Sequence, residues 1–243
     1  MTAFDRFHPA IQHHIVNSLR WAELRPLQEQ AIAPILGGRH VLLVAPTAGG
    51  KTEAAMLPTL SRMLEEHWTG LSVLYLCPLR ALLNNLEPRL SQYLGYVGRR
   101  VAVWHGDVGP TARRRIVEHP PDLLLTTPES LEVMLISPRV EHRSLFADLR
   151  VVIADELHAF ASDDRGWHLL AVLERLLRLA GRDVQRIGLS ATVGNPEELL
   201  TWFAASSPTA RQVVRTEAGF DARAEVTVDY VGNRGRDQTA RID

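Results

Sequence analysis

The sequence predicts an α/β protein in which helices cover both faces of a parallel β-sheet. From His40 onwards, short runs rich in branched aliphatic residues alternate with longer stretches of helical character. Several of these runs are apolar at consecutive positions, as in Val151–Ala154, which is typical of strands buried on both faces. With 46% hydrophobic residues, a chain of 243 residues can bury a substantial core in one large domain or two small ones.

The first 38 residues are predicted to form a short N-terminal helical segment. Apolar residues recur there at helical spacing, and the pair Gly37-Gly38 ends the pattern. The positions that carry this spacing are Ile11, Ile15, Leu19, Leu27, Ala31 and Ile32.

The sheet-forming region is predicted to span residues 39–205 and to contain six strands. We expect them at 41–45, 72–76, 100–104, 122–126, 151–154 and 186–189. Pro58 falls within the helix expected after the first strand and predicts a kink or a short break there. Residues 206–243 are predicted to be a linker and tail, with one alternating strand at 224–230 and a polar end from 233.

Composition excludes several classes of protein. A formal net charge of −1 argues against a protein that coats polyanions over its whole surface, so nucleic-acid binding must be argued from local sites. The single cysteine, Cys77, excludes an internal disulfide and fits a reducing compartment. The N-terminus lacks a signal-peptide pattern, and no apolar run reaches membrane-spanning length. We therefore expect a cytoplasmic chain with no membrane partner.

The only lysine of the chain, Lys51, lies in a glycine-containing loop between an apolar strand and a helix. The loop reads Ala45-Pro46-Thr47-Ala48-Gly49-Gly50-Lys51-Thr52. In a phosphate-binding loop the backbone N–H groups surround the phosphates, and a compact ammonium reaches the β- and γ-oxygens better than a wide guanidinium does. The helix N-terminus adds positive potential, and the Thr52 hydroxyl suits Mg²⁺. The loop therefore predicts binding of ATP with Mg²⁺; the alternative is a glycine turn that only caps the helix.

Two adjacent carboxylates follow a later apolar strand. Asp155 and Glu156 stand at the carboxyl end of Val151–Ala154, where sheets of this kind hold their ligands. Asp155 is predicted to hold Mg²⁺, and Glu156 to orient or deprotonate the attacking water. An acidic pair after a strand equally fits a helix cap, so this prediction depends on its combination with the loop at Lys51.

In this order the motifs resemble those of the superfamily-two helicases of DEAD/DEAH type, over about residues 20 to 205. The resemblance implies a RecA-like P-loop NTPase domain with six ordered motifs that have different functions. It assigns Gln28 to reading adenine, and the loop Pro46, Thr47, Ala48, Gly49, Gly50, Lys51 and Thr52 to the nucleotide. It assigns Pro78, Arg80, Thr127, Pro128 and Glu129 to gripping a nucleic-acid strand, and His158, Ser190 and Thr192 to coupling hydrolysis to movement.

Finer features are similar to the large helicase-related (Lhr) group. They are the run Asp155-Glu156-Leu157-His158, the pair Arg165-Gly166, the triplet His105-Gly106-Asp107 and the segment from Gly194 to Glu198. The group translocates mostly on DNA, so DNA is favoured over RNA as the partner. The chain departs from the group's usual loop by having Ala48-Gly49, which shifts one glycine by one position and is expected to leave phosphate binding intact.

A second departure concerns the other half of the ATPase site. In this family a second RecA-like domain supplies arginine fingers, and nothing after Thr192 matches their motif; Arg234 and Arg236 only superficially resemble its spacing. We expect this chain to be the first domain alone, working with a second domain in cis or in trans. It should bind ATP and hydrolyse it feebly, because an arginine finger contributes several orders of magnitude to turnover.

Several alternatives stay open from the sequence. Trp21 fits either stacking on adenine or packing into the core, and His105 fits either the nucleic-acid path or a structural role. The run Arg113-Arg114-Arg115 fits a basic patch, although a solvated helix face is favoured because Glu118 lies one turn away. A non-enzymatic ATP- and strand-binding module, or an ATPase acting on protein partners, are the alternative functions.

Overall fold

The structure, a computed structural model, describes residues 2–161, 164–205 and 207–215. Within these residues seven parallel strands form one sheet in the order β3-β4-β2-β5-β6-β1-β7, which confirms the predicted fold class. The strands are β1 (His40–Val44), β2 (Val73–Leu76), β3 (Val101–Trp104), β4 (Leu123–Thr126), β5 (Val151–Ala154), β6 (Gln185–Ser190) and β7 (Arg211–Arg215).

Helices cover both faces of the sheet. They are α1 (Pro9–His13), α2 (Pro26–Leu36), α3 (Lys51–Glu65), α4 (Arg80–Gly95), α5 (Pro110–Glu118), α6 (Pro128–Ile136), α7 (His142–Phe146), α8 (Asp164–Ala180) and α9 (Pro196–Ala204). A π-helical turn at His14–Ser18 extends α1, and short 3₁₀ turns lie at Phe4–Arg6 and Leu157–Ala159. The predicted N-terminal helices are confirmed: Ile11, Ile15 and Leu27 pack in the core, and α2 ends before Gly37.

Alternate strand residues divide the core into two layers. Val41, Tyr75 and Ile153 point to one layer, where they meet residues of the N-terminal segment, α3 and α4. Leu42 and Leu74 point to the other layer, which α6, α8 and α9 complete. This burial on both faces explains why the strands read as continuous apolar runs in the sequence.

Three details differ from the sequence prediction or lie beyond it. Helix α3 runs unbroken through Pro58, so the predicted break is wrong; Pro58 is itself buried, and packing stabilises the helix across the missing N–H. The sequence did not predict β7, the outermost strand on one side of the sheet, which pairs with β1. The strand predicted at 224–230, the polar tail and Arg234 and Arg236 lie outside the described residues. The predicted domain boundaries stay predictions.

The strand order fixes where functional loops can meet. Because all the strands are parallel, the loops that follow them lie along one edge of the sheet. The loops after β5, β6 and β1 are neighbours on one half of that edge, and those after β3, β4 and β2 are neighbours on the other half. The edge therefore supports two adjacent sites, which meet where β2 pairs with β5.

Candidate functional site

The first half of the sheet edge carries a cleft of about 730 Å³, here called the first cleft. It brings together nearly all the residues predicted to bind nucleotide. Gln28, Thr47, Ala48, Gly49, Gly50, Lys51, Thr52, Asp155 and Glu156 line it. Pro46 does not line the cleft, but its carbonyl oxygen accepts a hydrogen bond from Lys51 Nζ at 3.0 Å.

Steric room in the loop before α3 depends on its two glycines. A Cβ on Gly49 would lie 2.9 Å from both Ala45 Cβ and Pro46 O, which is closer than Cβ atoms approach other heavy atoms in proteins. Gly50 has φ +77°, a left-handed conformation, and faces the Gln28 amide. Ala48 is also left-handed, with φ +63°. The shift of one glycine therefore leaves an alanine at a strained position, which costs about 1–2 kcal/mol relative to the right-handed conformation.

The Lys51 ammonium is held inside the loop. Nζ donates to Ala45 O at 2.8 Å and to Pro46 O. Burial lowers the pKa of Lys51, while the nearby carboxylates of Glu156 and Asp155 oppose that shift. Lys51 therefore faces both predicted catalytic carboxylates across the first cleft.

Asp155 is the more enclosed of the two carboxylates. Its Oδ2 accepts a hydrogen bond from the Tyr75 hydroxyl at 2.8 Å, and its Oδ1 accepts one from the Glu156 N–H at 2.9 Å. Burial raises the pKa of Asp155, and the bond from Tyr75 acts in the opposite direction. Glu156 has φ +47°, an uncommon conformation for a non-glycine residue. The two carboxylates differ in exposure, because Asp155 is buried and Glu156 is partly exposed.

The N-terminal segment closes the first cleft from the other side. Gln28 Oε1 accepts from the Arg25 N–H at 2.9 Å, so this amide helps to begin α2. The Arg25 guanidinium donates to Ala48 O, which ties the start of α2 to the loop. Trp21 lines the cleft and also packs against the core, which supports its core interpretation and leaves stacking on adenine a prediction.

Part of the predicted coupling set forms a cluster at the ends of β5 and β6. His158 Nδ1 lies 3.2 Å from Ser190 Oγ and 3.5 Å from Glu156 Oε2. The Ala191 N–H also points to His158 Nδ1, at 3.4 Å. Thr192 is exposed, and in the described part of the chain no hydrogen bond joins it to this cluster. Its assignment therefore depends on the motif alone.

The other half of the sheet edge carries a second cleft of about 610 Å³. Four residues predicted to grip nucleic acid line it, namely Pro78, Arg80, Thr127 and Glu129. Thr127 caps α6, since its Oγ1 accepts the Ser130 N–H, and Pro128 is the buried first residue of that helix. Because β2 and β4 are neighbours in the sheet, the loops that follow them bring these motifs together.

Charged side chains of the second cleft are held by partners. Arg80 pairs with Asp107 at 3.1 Å and packs against Gly106, where a Cβ would approach within 2.8 Å of the guanidinium. Glu129 pairs with Arg165 at 2.9 Å, and Arg165 also donates to Pro78 O. Glu129 therefore holds Arg165 beside the cleft.

Sequence reasoning missed several residues of these clefts. Arg165 and Arg113 line the second cleft, and Arg113 stacks on Trp104 with its guanidinium carbon 5.6 Å from the ring centre. Arg114 is exposed and pairs with Glu118 at 2.8 Å, as the favoured solvated-face interpretation expected. His105 is buried and contacts Asn84, which supports its structural role. Two sequence signals pointed to these arginines, namely the pair Arg165-Gly166 and the run Arg113-Arg114-Arg115, for which a solvated face was favoured.

A family model described as DEAD/DEAH box helicase matches residues 25–199. The chain belongs to the DEAD/DEAH box helicase family. These are superfamily-two helicases, and the similar proteins include Lhr-type members.

Longer helicases are similar to this helicase domain along most of its length. The Lhr helicase/probable uracil glycosylase of Mycolicibacterium smegmatis is 39% identical over 223 residues, covering 86% of this chain and 15% of that protein. ATP-dependent helicase Lhr-Core of Methanothermobacter thermautotrophicus is 40% identical over 192 residues, covering 72% of this chain and 22% of that protein. The chain thus spans between about a seventh and about a fifth of the length of these relatives.

A solved structure of the Mycobacterium smegmatis helicase Lhr, bound to single-stranded DNA and AMP-PNP, has the same fold. It superposes with a TM-score of 0.79 at 35% identity, covering 89% of this chain and 28% of that one. The RecA-like α/β fold of the chain is therefore shown by sequence and by structure.

Two further observations concern other kinds of site. In the described ranges, three or more histidine, cysteine, aspartate or glutamate side chains nowhere cluster so that they could hold a metal ion. No helix in those ranges is long and apolar enough to cross a membrane.

Proposed function

We propose that this chain is the ATP-binding domain of an ATP-dependent nucleic-acid helicase or translocase. The observation that carries the proposal is the pair of clefts on one edge of the sheet. The first cleft gathers the predicted nucleotide residues, and the second gathers the predicted strand-gripping residues. Strands β2 and β5, which lead into the two clefts, are hydrogen-bonded neighbours.

The residues of the first cleft suit ATP and Mg²⁺. Gly49 and Gly50 lack side chains that would collide with the loop itself or with Gln28, and Lys51 can exchange its carbonyl partners for phosphate oxygens. Mg²⁺ prefers oxygen ligands and usually keeps several waters, so the Thr52 hydroxyl and the Asp155 carboxylate are a sufficient protein contribution. Held by Thr52 and Asp155, Mg²⁺ would supply positive charge that neutralises the phosphates of the nucleotide. Gln28, which lines this cleft, is proposed to read the adenine edge.

Glu156 is proposed to orient and deprotonate the attacking water. It lines the first cleft and is more exposed than Asp155, so a water molecule can reach it. His158 lies between Glu156 and Ser190, and this contact supports a relay from the hydrolysis site to the end of β6. Thr192 is proposed to take part in the same coupling.

The second cleft is proposed to bind the backbone of a single strand, with DNA favoured over RNA. Arg80 supplies positive charge, and the Thr127 hydroxyl supplies a hydrogen-bonding group, both of which are common phosphate contacts. Pro78, Pro128 and Glu129 shape this site. The choice of DNA rests on the group resemblance and on the similar Lhr helicase that is bound to single-stranded DNA.

Full activity is proposed to need a second RecA-like domain, in cis or in trans, because the family resemblance assigns the arginine fingers to that domain. The alternative is a non-enzymatic ATP- and nucleic-acid-binding fragment. The chain is proposed to act in the cytoplasm.

Steady-state MgATP hydrolysis, measured with and without single-stranded DNA or RNA, tests this proposal. We expect slow turnover that a single strand stimulates and that Glu156→Gln removes. Absent turnover with retained ATP and strand binding would favour the non-enzymatic alternative. Turnover at the same rate in Glu156→Gln would contradict the role of Glu156. Failure of the ATP-bound chain to bind either polymer would contradict the helicase proposal and favour an ATPase that acts on proteins.

A further inference from the structure

Tyr75 is a buried polar residue with no role in the sequence motifs. It is fully buried within β2, and its hydroxyl donates to Asp155 Oδ2 at 2.8 Å. One hydroxyl group therefore holds the carboxylate that is proposed to bind Mg²⁺.

The sheet register explains how Tyr75 reaches Asp155. Tyr75 pairs with Ile153 across β2 and β5, and both side chains point to the same core layer. Asp155 lies two residues beyond Ile153, so its side chain returns to that layer at the strand end. A tyrosine that leans along its strand spans this step, which a shorter polar side chain would not.

The contact is built into rigid structure at each end. Asp155 N–H donates to Leu76 O at 2.8 Å, which locks the backbone of the carboxylate to β2. Tyr75 lies within β2, which pairs with β4 on one side and β5 on the other. Tyr75 thus joins the side chains of β2 and the end of β5, although Tyr75 and Asp155 are far apart in sequence.

We propose that the Tyr75 hydroxyl orients the Asp155 carboxylate for Mg²⁺, which makes Tyr75 a positioning residue. The hydrogen bond occupies one lone pair of Oδ2 and fixes the plane of the carboxylate, while Oδ1 is fixed by the Glu156 N–H. The remaining lone pairs stay available to a metal ion in the first cleft, which Asp155 lines. Outer partners of this kind typically change metal affinity or activity 10–100-fold when they are removed.

This role rests on the proposed function. Its test measures how the affinity for a nucleotide depends on Mg²⁺, and not the rate of hydrolysis. AMP-PNP affinity is measured by calorimetry at increasing Mg²⁺ and in EDTA, for the wild type and for Tyr75→Phe. We expect Tyr75→Phe to need about 10-fold or more Mg²⁺ for half of the metal-dependent gain in affinity. The affinity in EDTA is expected to match that of the wild type, because Tyr75 does not touch the nucleotide.

Tyr93→Phe is the matched control. Tyr93 is also buried, and its hydroxyl donates to a carboxylate oxygen, Glu53 Oε1, at 3.1 Å. Loss of this bond is expected to leave the Mg²⁺ requirement unchanged. In a double-mutant cycle, the effect of Tyr75→Phe should disappear in the Asp155→Ala background, since the two residues act as one unit.

Each contrary result has a distinct meaning. A folded Tyr75→Phe variant with the wild-type Mg²⁺ requirement would overturn the positioning role. An equal loss of affinity in EDTA would also overturn it, because the residue would then support the whole cleft. Failure of the wild-type chain to bind AMP-PNP at all would contradict the proposed function instead.

Discussion

At the residue scale, two kinds of anion compete for the Arg80 guanidinium of the second cleft. Asp107 pairs with Arg80 at 3.1 Å, and both side chains are exposed, so the pair is open to exchange. A phosphate that binds Arg80 must displace this carboxylate or share the guanidinium with it. Asp107 therefore weakens the proposed strand contact that Arg80 makes.

Asp107→Asn is expected to increase the affinity for single-stranded DNA about 1.5- to 5-fold, the range of an exposed ion pair. Fluorescence anisotropy at several salt concentrations measures the change, which should shrink as salt rises. Glu118→Gln is the control, because it also removes an exposed, arginine-paired carboxylate, but from outside the second cleft. Equal gains in both variants would attribute the effect to net charge and contradict a local competition.

The sequence was sufficient for those site residues that belong to contiguous motifs. Lys51 and Thr52 stand side by side, as do Asp155 and Glu156, and the parallel strand order brings the two pairs into one cleft. Contacts that join distant segments were not predictable in this way. Tyr75 lies 80 residues before Asp155, and only the register of β2 against β5 reveals that they meet.

At the element scale, α8 lies unusually close to the turn that carries His158. A Cβ on Gly166 would lie 2.3 Å from Phe160 O and 2.9 Å from Trp202 Cζ2. The missing side chain lets α8 approach both the turn after Glu156 and helix α9. Gly166 therefore maintains the spacing of three elements around the coupling cluster.

Gly166→Ala is expected to lower the free energy of unfolding by about 1–3 kcal/mol, because the added methyl has no space. Urea unfolding followed by circular dichroism measures this change. Gly95→Ala is the control: nothing lies within 4 Å of its Cβ position at the end of α4, so the same substitution should be neutral or stabilise by roughly 0.5–1 kcal/mol. A stable Gly166→Ala variant would contradict the close packing.

Of the six strands that the sequence predicted, five are buried along their whole length, and β3 is the partly exposed exception. β3 and β7 are the two outermost strands, but β3 is an apolar run, whereas three of the five residues of Arg211–Arg215 are polar, so β7 escaped prediction. The break predicted at Pro58 failed for the opposite reason, since the packing of α3 outweighs local propensity. The local sequence pattern thus predicted an element correctly only where tertiary packing favoured the same structure.

At the scale of the whole molecule, the two candidate functional clefts and a stabilising polar network lie at opposite ends of the strands. The two clefts lie at the carboxyl ends of the strands, whereas a buried polar network lies at the start of β1. There His40 Nδ1 accepts the Arg186 N–H at 2.9 Å, and His40 Nε2 contacts Ser207 Oγ at 2.6 Å. Ser207 in turn donates to Asp183, so this network fastens the segment that leads into β7.

This network predicts a dependence of stability on pH. Burial lowers the pKa of His40 to about 4, because Nδ1 is an acceptor and the fold excludes its proton. The unfolded chain takes up that proton near pH 6.5, so the contribution of His40 falls as the pH drops from about 6.5 towards 4, by up to about 1.4 kcal/mol per pH unit.

Chemical unfolding at pH 7 and pH 4.5 measures this loss. His40→Gln keeps a hydrogen-bonding side chain and cannot titrate, so its stability should decline less over the same range. An identical decline in the variant and the wild type would show that other groups cause the pH dependence.

The central claim is that the loop at Lys51 binds ATP, and calorimetric titration of MgATP into the wild-type chain and Lys51→Ala tests it most directly. We predict 1:1 binding to the wild type and loss of binding in a variant whose circular dichroism spectrum is unchanged, because no other lysine is available to contact the phosphates. Equal MgATP affinity in the folded variant, or no binding to the wild type, would contradict the account.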